Sequence, residues 1–94
     1  MHDLVHLAAN DQLTGSIPDS LGSLAKLDYL SLAGNRLTGI IPASLGDLTI
    51  LTGLELQVNQ LTGSIPASLG KMSKLTGLLL SGNVIVALVT QIMA

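Results

Sequence analysis

The sequence predicts an α/β solenoid, a single small domain in which short parallel strands and turns stack as successive coils. The chain has 94 residues, which is enough for one small domain and too few for two. Its apolar content of 48% is almost entirely aliphatic, with 21 leucines and a single tyrosine. One pattern of residues also returns at a fixed interval of 24 positions. Together these observations indicate a core built by repeating one layer several times.

The repeat is clearest in a six-residue segment that begins with Leu-Thr-Gly and ends with Ile-Pro. It occupies residues 13–18 and returns at 37–42 and 61–66. The surrounding leucines advance in the same steps of 24, in the sets Leu21, Leu45 and Leu69; Leu27, Leu51 and Leu75; Leu30, Leu54 and Leu78; and Leu32, Leu56 and Leu80. Every coil therefore places apolar side chains at the same positions, as a stacked core requires.

Each coil contains one short strand with a buried face and an open face. Residues 30–32 and 54–56 read Leu-Ser-Leu and Leu-Glu-Leu, which is the alternation of a half-buried strand. Parallel strands are usually covered on both faces, but a solenoid can leave one face open because each strand belongs to a stacked coil. We therefore expect Ser31 and Glu55 to face water while the leucines face the core.

An asparagine follows the second leucine of each strand by three positions, as Asn35, Asn59 and Asn83. Its amide group can both donate to and accept from backbone groups that the turn would otherwise leave unpaired. We predict that stacked coils align these side chains as a ladder with a structural role.

Glycine and proline mark the turns between strands. Gly39 and Gly63 permit backbone conformations that a side chain would disfavour, and the residue before each proline is restricted to an extended conformation. Residues 42–46 read Pro-Ala-Ser-Leu-Gly, in which we expect a short helical turn on the outer side of the coil. Leu45 is expected to point inward and Gly46 to end the turn.

The combined pattern, Leu-x-x-Leu-x-Leu-x-x-Asn-x-Leu-x-Gly-x-Ile-Pro-x-x-Leu-x-x-Leu, resembles the plant-type leucine-rich repeat over about residues 21–83. The Leu-Thr-Gly-x-Ile-Pro part is similar to the extracellular parts of plant receptor-like kinases and receptor-like proteins. The resemblance implies a right-handed leucine-rich-repeat solenoid with a short parallel sheet on its concave face and turns or short helical segments on its convex side. It also implies that the open face holds peptides, hormones or partner proteins, without catalysis.

The two ends depart from this pattern within a single domain of residues 1–94. The first repeat, about residues 1–20, has one residue more between its strand and its Leu-Thr-Gly segment than the next repeat has. After the regular repeats, about 21–83, residues 84–94 form a degenerate apolar end in which the expected glycine and proline are missing. The family's cysteine-paired caps cannot form without cysteine, so both ends of the stack are expected to be uncapped. The apolar end could cover the stack, pair with a second molecule or be the remnant of a longer array.

Composition excludes several partners and sites. A net charge of -2 offers no basic cluster for nucleic acid or acidic lipid, and no apolar stretch is long enough to span a membrane as a helix. The chain lacks cysteine, a recognisable signal peptide and N-glycosylation motifs. The compartment is therefore left open, although the resemblance suggests an extracellular or cell-surface setting.

Catalytic and metal-binding patterns are also missing from the sequence. His2 and His6 would be too far apart on a strand to share a metal ion, and Gly70-Lys71 lacks the rest of a phosphate-binding loop. No serine nucleophile motif is present. We therefore expect no cofactor, no metal and no enzymatic activity.

Binding is the function that the sequence favours, because side chains on the open face are free of core packing. The candidate binding residues are His6, Tyr29, Ser31, Glu55, Gln57 and Leu79. The first hypothesis is a non-catalytic module that uses this face to bind a protein or peptide. The alternative is a truncated solenoid without a ligand of its own, whose uncapped ends drive self-association.

Overall fold

A computed structural model of the chain describes residues 3–5 and 12–85, which contain six short strands and three 3₁₀ turns. The strands are β1 (Asp3–Val5), β2 (Leu27–Ser31), β3 (Gly53–Glu55), β4 (Thr62–Gly63), β5 (Gly77–Leu79) and β6 (Val84–Ile85). The 3₁₀ turns are Asp19–Ser23, Ala43–Asp47 and Ala67–Lys71. Over the described residues, no helix has the length and apolar character needed to cross a membrane.

The main sheet is parallel, with strand order β1-β2-β3-β5. Leu30 lies opposite Leu54, and Leu54 lies opposite Leu78, so each step across the sheet corresponds to the 24-residue repeat. The predicted solenoid, with its short parallel sheet and short turns between strands, is confirmed.

The first step across the sheet differs from the others. Val5 pairs with Leu30, 25 residues later, and the register shifts between Asp3 and Leu4. This offset is one residue longer than the 24 of the later steps. It agrees with the one additional residue that the sequence has between the first strand and its Leu-Thr-Gly segment.

A second parallel ladder lies beyond the main sheet and was not predicted. β4 pairs with β6, and single bridges join Ser16 to Thr38 and Ile40 to Thr62. We had assigned the Leu-Thr-Gly segments to turns, but their backbones extend far enough to bond with the same segment of the next coil. Of the apolar end, residues 84–85 form β6, and residues 86–94 lie outside the described part of the chain.

The core is aliphatic and lies between the main sheet and the 3₁₀ turns. Burial is most complete in the middle coils, where the side chains that are almost fully enclosed are Leu27, Leu30, Ile41, Leu45, Leu48, Leu51, Leu54, Leu56 and Leu61. Leu45 points inward as predicted. Leu78 continues the row formed by Leu30 and Leu54, yet it is 39% exposed because β5 is the last strand of the described sheet.

The predicted asparagine ladder is confirmed. The Asn59 side chain accepts a hydrogen bond from the Leu37 amide at 3.0 Å and donates to the carbonyls of Leu32, at 3.0 Å, and Leu56, at 3.2 Å. It therefore binds backbone groups of its own coil and of the preceding one. Asn83 repeats this arrangement one coil later.

The glycine of the 3₁₀ turn has a different role from the one we predicted. Gly46 lies inside the turn, which continues to Asp47, so it does not end the helical segment. A Cβ atom at Gly46 would lie 2.4 Å from the carbonyl oxygen of Ser68 in the next coil. The position therefore needs glycine because two coils approach closely there. The same contact occurs between Gly22 and Ser44.

This packing predicts that Gly46→Ala and Gly70→Ala have opposite consequences, although they change equivalent positions. Gly46→Ala should lower the free energy of unfolding by about 1–3 kcal/mol, because the new methyl group collides with backbone. Gly70 has no described heavy atom within 4 Å of its Cβ position, so Gly70→Ala should change stability by less than about 0.5 kcal/mol. Urea unfolding measures both. Equal effects of the two substitutions would contradict the packing role.

Candidate functional site

The candidate site is the open face of the main sheet, which carries the side chains that alternate with the core leucines. In the described strands and the residues that directly follow them, three rows cross this face. They are Tyr29, Gly53 and Gly77; Ser31, Glu55 and Leu79; and Ala33, Gln57 and Ser81. Because the repeat length fixes the register, residues 24 positions apart become neighbours on adjacent strands.

The Glu55 carboxylate is the centre of a hydrogen-bonded group on this face. The Tyr29 hydroxyl donates to Glu55 Oε2. Ser31 Oγ and Gln57 Nε2 each donate to Glu55 Oε1 at 3.4 Å, which is a long contact. The structure thus brings together four of the six predicted binding residues, and we call these four the Glu55 cluster.

Ser31 differs from our expectation. It was predicted to face water, but it is only 2% exposed. Its strand is paired on both sides, by β1 and β3, and its short side chain lies beside the longer Glu55, to which it donates. Ser31 therefore contributes a hydrogen bond to Glu55 and leaves almost none of its own surface accessible to a partner.

Glu55 has no cationic partner among the described residues. The one ion pair found there joins Lys71 and Asp47 at 3.2 Å, and both side chains are exposed in the outer turns. Glu55 is half-buried and is the only charged residue in the three rows. Within the part of the chain that the structure describes, only neutral hydroxyl and amide groups donate to it.

The orientation of the Gln57 amide follows from the carboxylate beside it. Its NH₂ group faces Glu55, since the reverse orientation would place two oxygens in contact. The amide oxygen is thereby buried without a hydrogen-bond partner among the described residues. Gln57 is consequently only partly satisfied in this arrangement.

Two glycines shape the face beside the cluster. A Cβ atom at Gly53 would lie 2.6 Å from Cδ1 of Tyr29, so the tyrosine ring lies directly against the Gly53 backbone. Gly77 has no described heavy atom within 4 Å of its Cβ position. Leu79, which is 47% exposed, lies next to Glu55 in the register. Among the described residues, the face therefore has an unfilled space over Gly77, one strand beyond the tyrosine ring, and we call this space the open step.

Other predicted positions contribute less. His6 lies outside the described residues, and Leu79 makes no hydrogen bond to the Glu55 cluster because its side chain is apolar. Within the described residues, no three histidine, cysteine or acidic side chains gather as metal ligands. An open groove of about 800 Å³ lies outside the main sheet, between the first two 3₁₀ turns, and Asp19 is its only charged lining residue.

Gly53 was not among the predicted site residues, yet it provides the surface on which the Tyr29 ring lies. The signal was the 24-residue separation of Tyr29 and Gly53, which places them side by side once the register is known.

Comparisons with known proteins agree with this geometry. A family model described as leucine rich repeat matches residues 25–85, which is well over half of the chain. A search of curated proteins returned no significant match.

Solved structures that resemble the chain are plant receptor proteins. A chain of the BIR3–SERK2 complex from Arabidopsis thaliana is 40% identical, with a TM-score of 0.80, over 82% of this chain and 42% of that one. The PEPR1–AtPEP1 structure is 46% identical, with a TM-score of 0.85, over 88% of this chain and 12% of that one. The GASSHO1/SCHENGEN3 ectodomain of Arabidopsis thaliana, in complex with CASPARIAN STRIP INTEGRITY FACTOR 2, is 43% identical, with a TM-score of 0.78, over 79% and 9%.

The chain therefore spans less than half the length of each of these three matched chains. Its repeat, its parallel sheet and both kinds of comparison lead to one conclusion: the chain belongs to the leucine-rich repeat family and has the plant type of that repeat.

Proposed function

We propose that this chain is a non-catalytic interaction module that binds a protein or peptide on the open face of its main sheet. The observation that carries the proposal is the Glu55 cluster, a group of polar side chains held in one arrangement on a surface that is free of core packing. Leu79 adds an exposed apolar side chain next to it. A tyrosine ring with adjacent polar and apolar groups is typical of protein contact surfaces.

The similar structures support the same function. They include PEPR1 with AtPEP1, the GASSHO1/SCHENGEN3 ectodomain with CASPARIAN STRIP INTEGRITY FACTOR 2, and a complex of BIR3 with SERK2. Binding of a peptide or of another receptor protein is therefore the class of function that we transfer to this chain. The described open face has one carboxylate and neither histidine nor cysteine, so the proposal involves no catalysis.

The arrangement of Tyr29 before a partner arrives is part of the proposal. The ring lies against Gly53, and its hydroxyl is held by Glu55, so little rotational freedom remains to be lost on binding. Preorganisation of this kind raises affinity because fewer side chains must be ordered in the complex.

Tyrosine fluorescence tests this arrangement, since Tyr29 is the only aromatic residue in the chain. Gly53→Ala should displace the ring and separate the phenol from the carboxylate that quenches it, so emission should rise. Gly77→Ala, at the next position of the same row, meets no described atom and should leave emission unchanged. Unchanged emission in Gly53→Ala would contradict the contact between the Tyr29 ring and the Gly53 backbone.

Binding itself is tested by selecting peptides from a displayed library of random dodecamers. Selected peptides should bind wild-type protein saturably and bind Tyr29→Ala at least about tenfold more weakly, as expected when a central aromatic contact is lost. The matched control is Lys71→Ala on an outer turn, which should bind as the wild type does. Circular dichroism establishes that each variant is folded.

The self-association hypothesis makes the contrary prediction. It is favoured by the exposure of Leu78, whose equivalents Leu30 and Leu54 are fully buried under the next coil. A mass that grows with concentration in light scattering, together with no peptide whose binding depends on Tyr29, would replace the binding proposal with this one.

A further inference from the structure

Among the described residues of the open face, the charge of Glu55 has no cationic counterpart, and this imbalance points to the chemistry of the partner. The carboxylate is half-buried, and the three described groups that donate to it are neutral. The four lysine and arginine residues of the chain lie elsewhere: Lys26 and Arg36 are exposed outside the three rows, Lys71 ends the third 3₁₀ turn, and Lys74 follows that turn. A half-buried charge is stabilised most by a cation that approaches closely, because the local dielectric is lower than that of water.

The acceptor capacity of the carboxylate is also incompletely used. Two of its three contacts, from Ser31 and Gln57, are 3.4 Å long and fall on the same oxygen, Oε1. A carboxylate offers about four acceptor positions, so Glu55 can accept stronger bonds from an incoming donor without losing its contact to Tyr29. A charged donor would form such bonds at shorter distances than the neutral side chains do.

The space beside the carboxylate suits a long basic side chain. Gly77 leaves an open step one strand beyond Gly53, and Leu79 borders that step on the side of Glu55. Adjacent strands lie about 4.8 Å apart, so an aliphatic stem placed over Gly77 can carry its charged end to the carboxylate. The Tyr29 ring, fixed against Gly53, lies at the same end of the step.

We propose that the open face receives the guanidinium group of an arginine from a peptide or protein partner, paired with Glu55 and packed against Tyr29. This inference rests on the proposed binding function of that face. Arginine fits better than lysine because its planar fork donates two parallel bonds to one carboxylate and also stacks on an aromatic ring. Its stem packs over Gly77 and against Leu79.

The test begins with dodecamers selected on wild-type protein whose binding depends on Tyr29. Arginine should be enriched among them. Each peptide is then resynthesised with citrulline, which has nearly the shape of arginine without its charge. The exchange should weaken binding to wild-type protein about tenfold, as loss of a charge-assisted pair requires.

The variant Glu55→Gln examines the pair from the protein side. It should lower the affinity for the arginine peptides by a similar factor. Replacing arginine with citrulline should then have almost no further effect on affinity, because both changes remove the same interaction. Asp47→Asn is the matched control: it removes the same charge from an exposed outer turn and should leave affinity unchanged. Circular dichroism verifies that the variants are folded, and the citrulline peptides examine the same pair with the wild-type protein, in which no residue is substituted.

The outcomes separate this inference from the function on which it rests. Peptides that depend on Tyr29 but are indifferent to citrulline exchange or to Glu55→Gln would overturn the arginine assignment and leave the binding function standing. If no selected peptide depends on Tyr29, both are overturned.

Discussion

Each ladder asparagine binds at least three backbone groups from two successive coils, and the alignment of the stack depends on these contacts. Where a strand ends, the chain turns sharply and leaves amides and carbonyls that water cannot reach. Asn59 satisfies the Leu37 amide and two carbonyls at once. An aliphatic side chain of similar size would leave the buried Leu37 amide unpaired, at a cost of about 1–3 kcal/mol. The carbonyls of Leu32 and Leu56 would each lose one of their two asparagine donors and keep the other, from Asn35 and Asn83. The leucines provide the core, but the asparagines determine how one coil is placed on the next.

The open face is a product of this alignment. Tyr29 lies on Gly53, and Ser31 lies beside Glu55, only because the strands are registered at 24 residues. A slip of one residue would turn every open-face side chain towards the core and every leucine towards water. The Glu55 cluster therefore needs no dedicated loop or helix. Its charge and its aromatic ring come from Glu55 and Tyr29, which occupy two positions of a regular repeat.

Sequence periodicity was sufficient to predict what happens within one coil. The alternation at residues 30–32 and the short outer turns follow from spacings along the chain, and the 24-residue spacing of the asparagines also predicts one contact between coils, the ladder. Other contacts between coils were predicted less well, because spacing does not report how closely two backbones approach. Gly46 was therefore taken as the end of a turn, and the second ladder of β4 and β6 was missed. The burial of Ser31 was not predicted, because it depends on side-chain lengths on neighbouring strands.

Amide hydrogen exchange at Leu37 and Leu61 measures the ladder most directly, because these amides donate to asparagine side chains and not to backbone carbonyls. Both amides should exchange as slowly as the amides of β3, within about tenfold. In Asn59→Ala, exchange at Leu37 should accelerate while that at Leu61, bound by Asn83, stays slow. Rapid exchange at Leu37 in the wild-type chain, at the rate of an exposed turn, would contradict the ladder as the contact that aligns the coils.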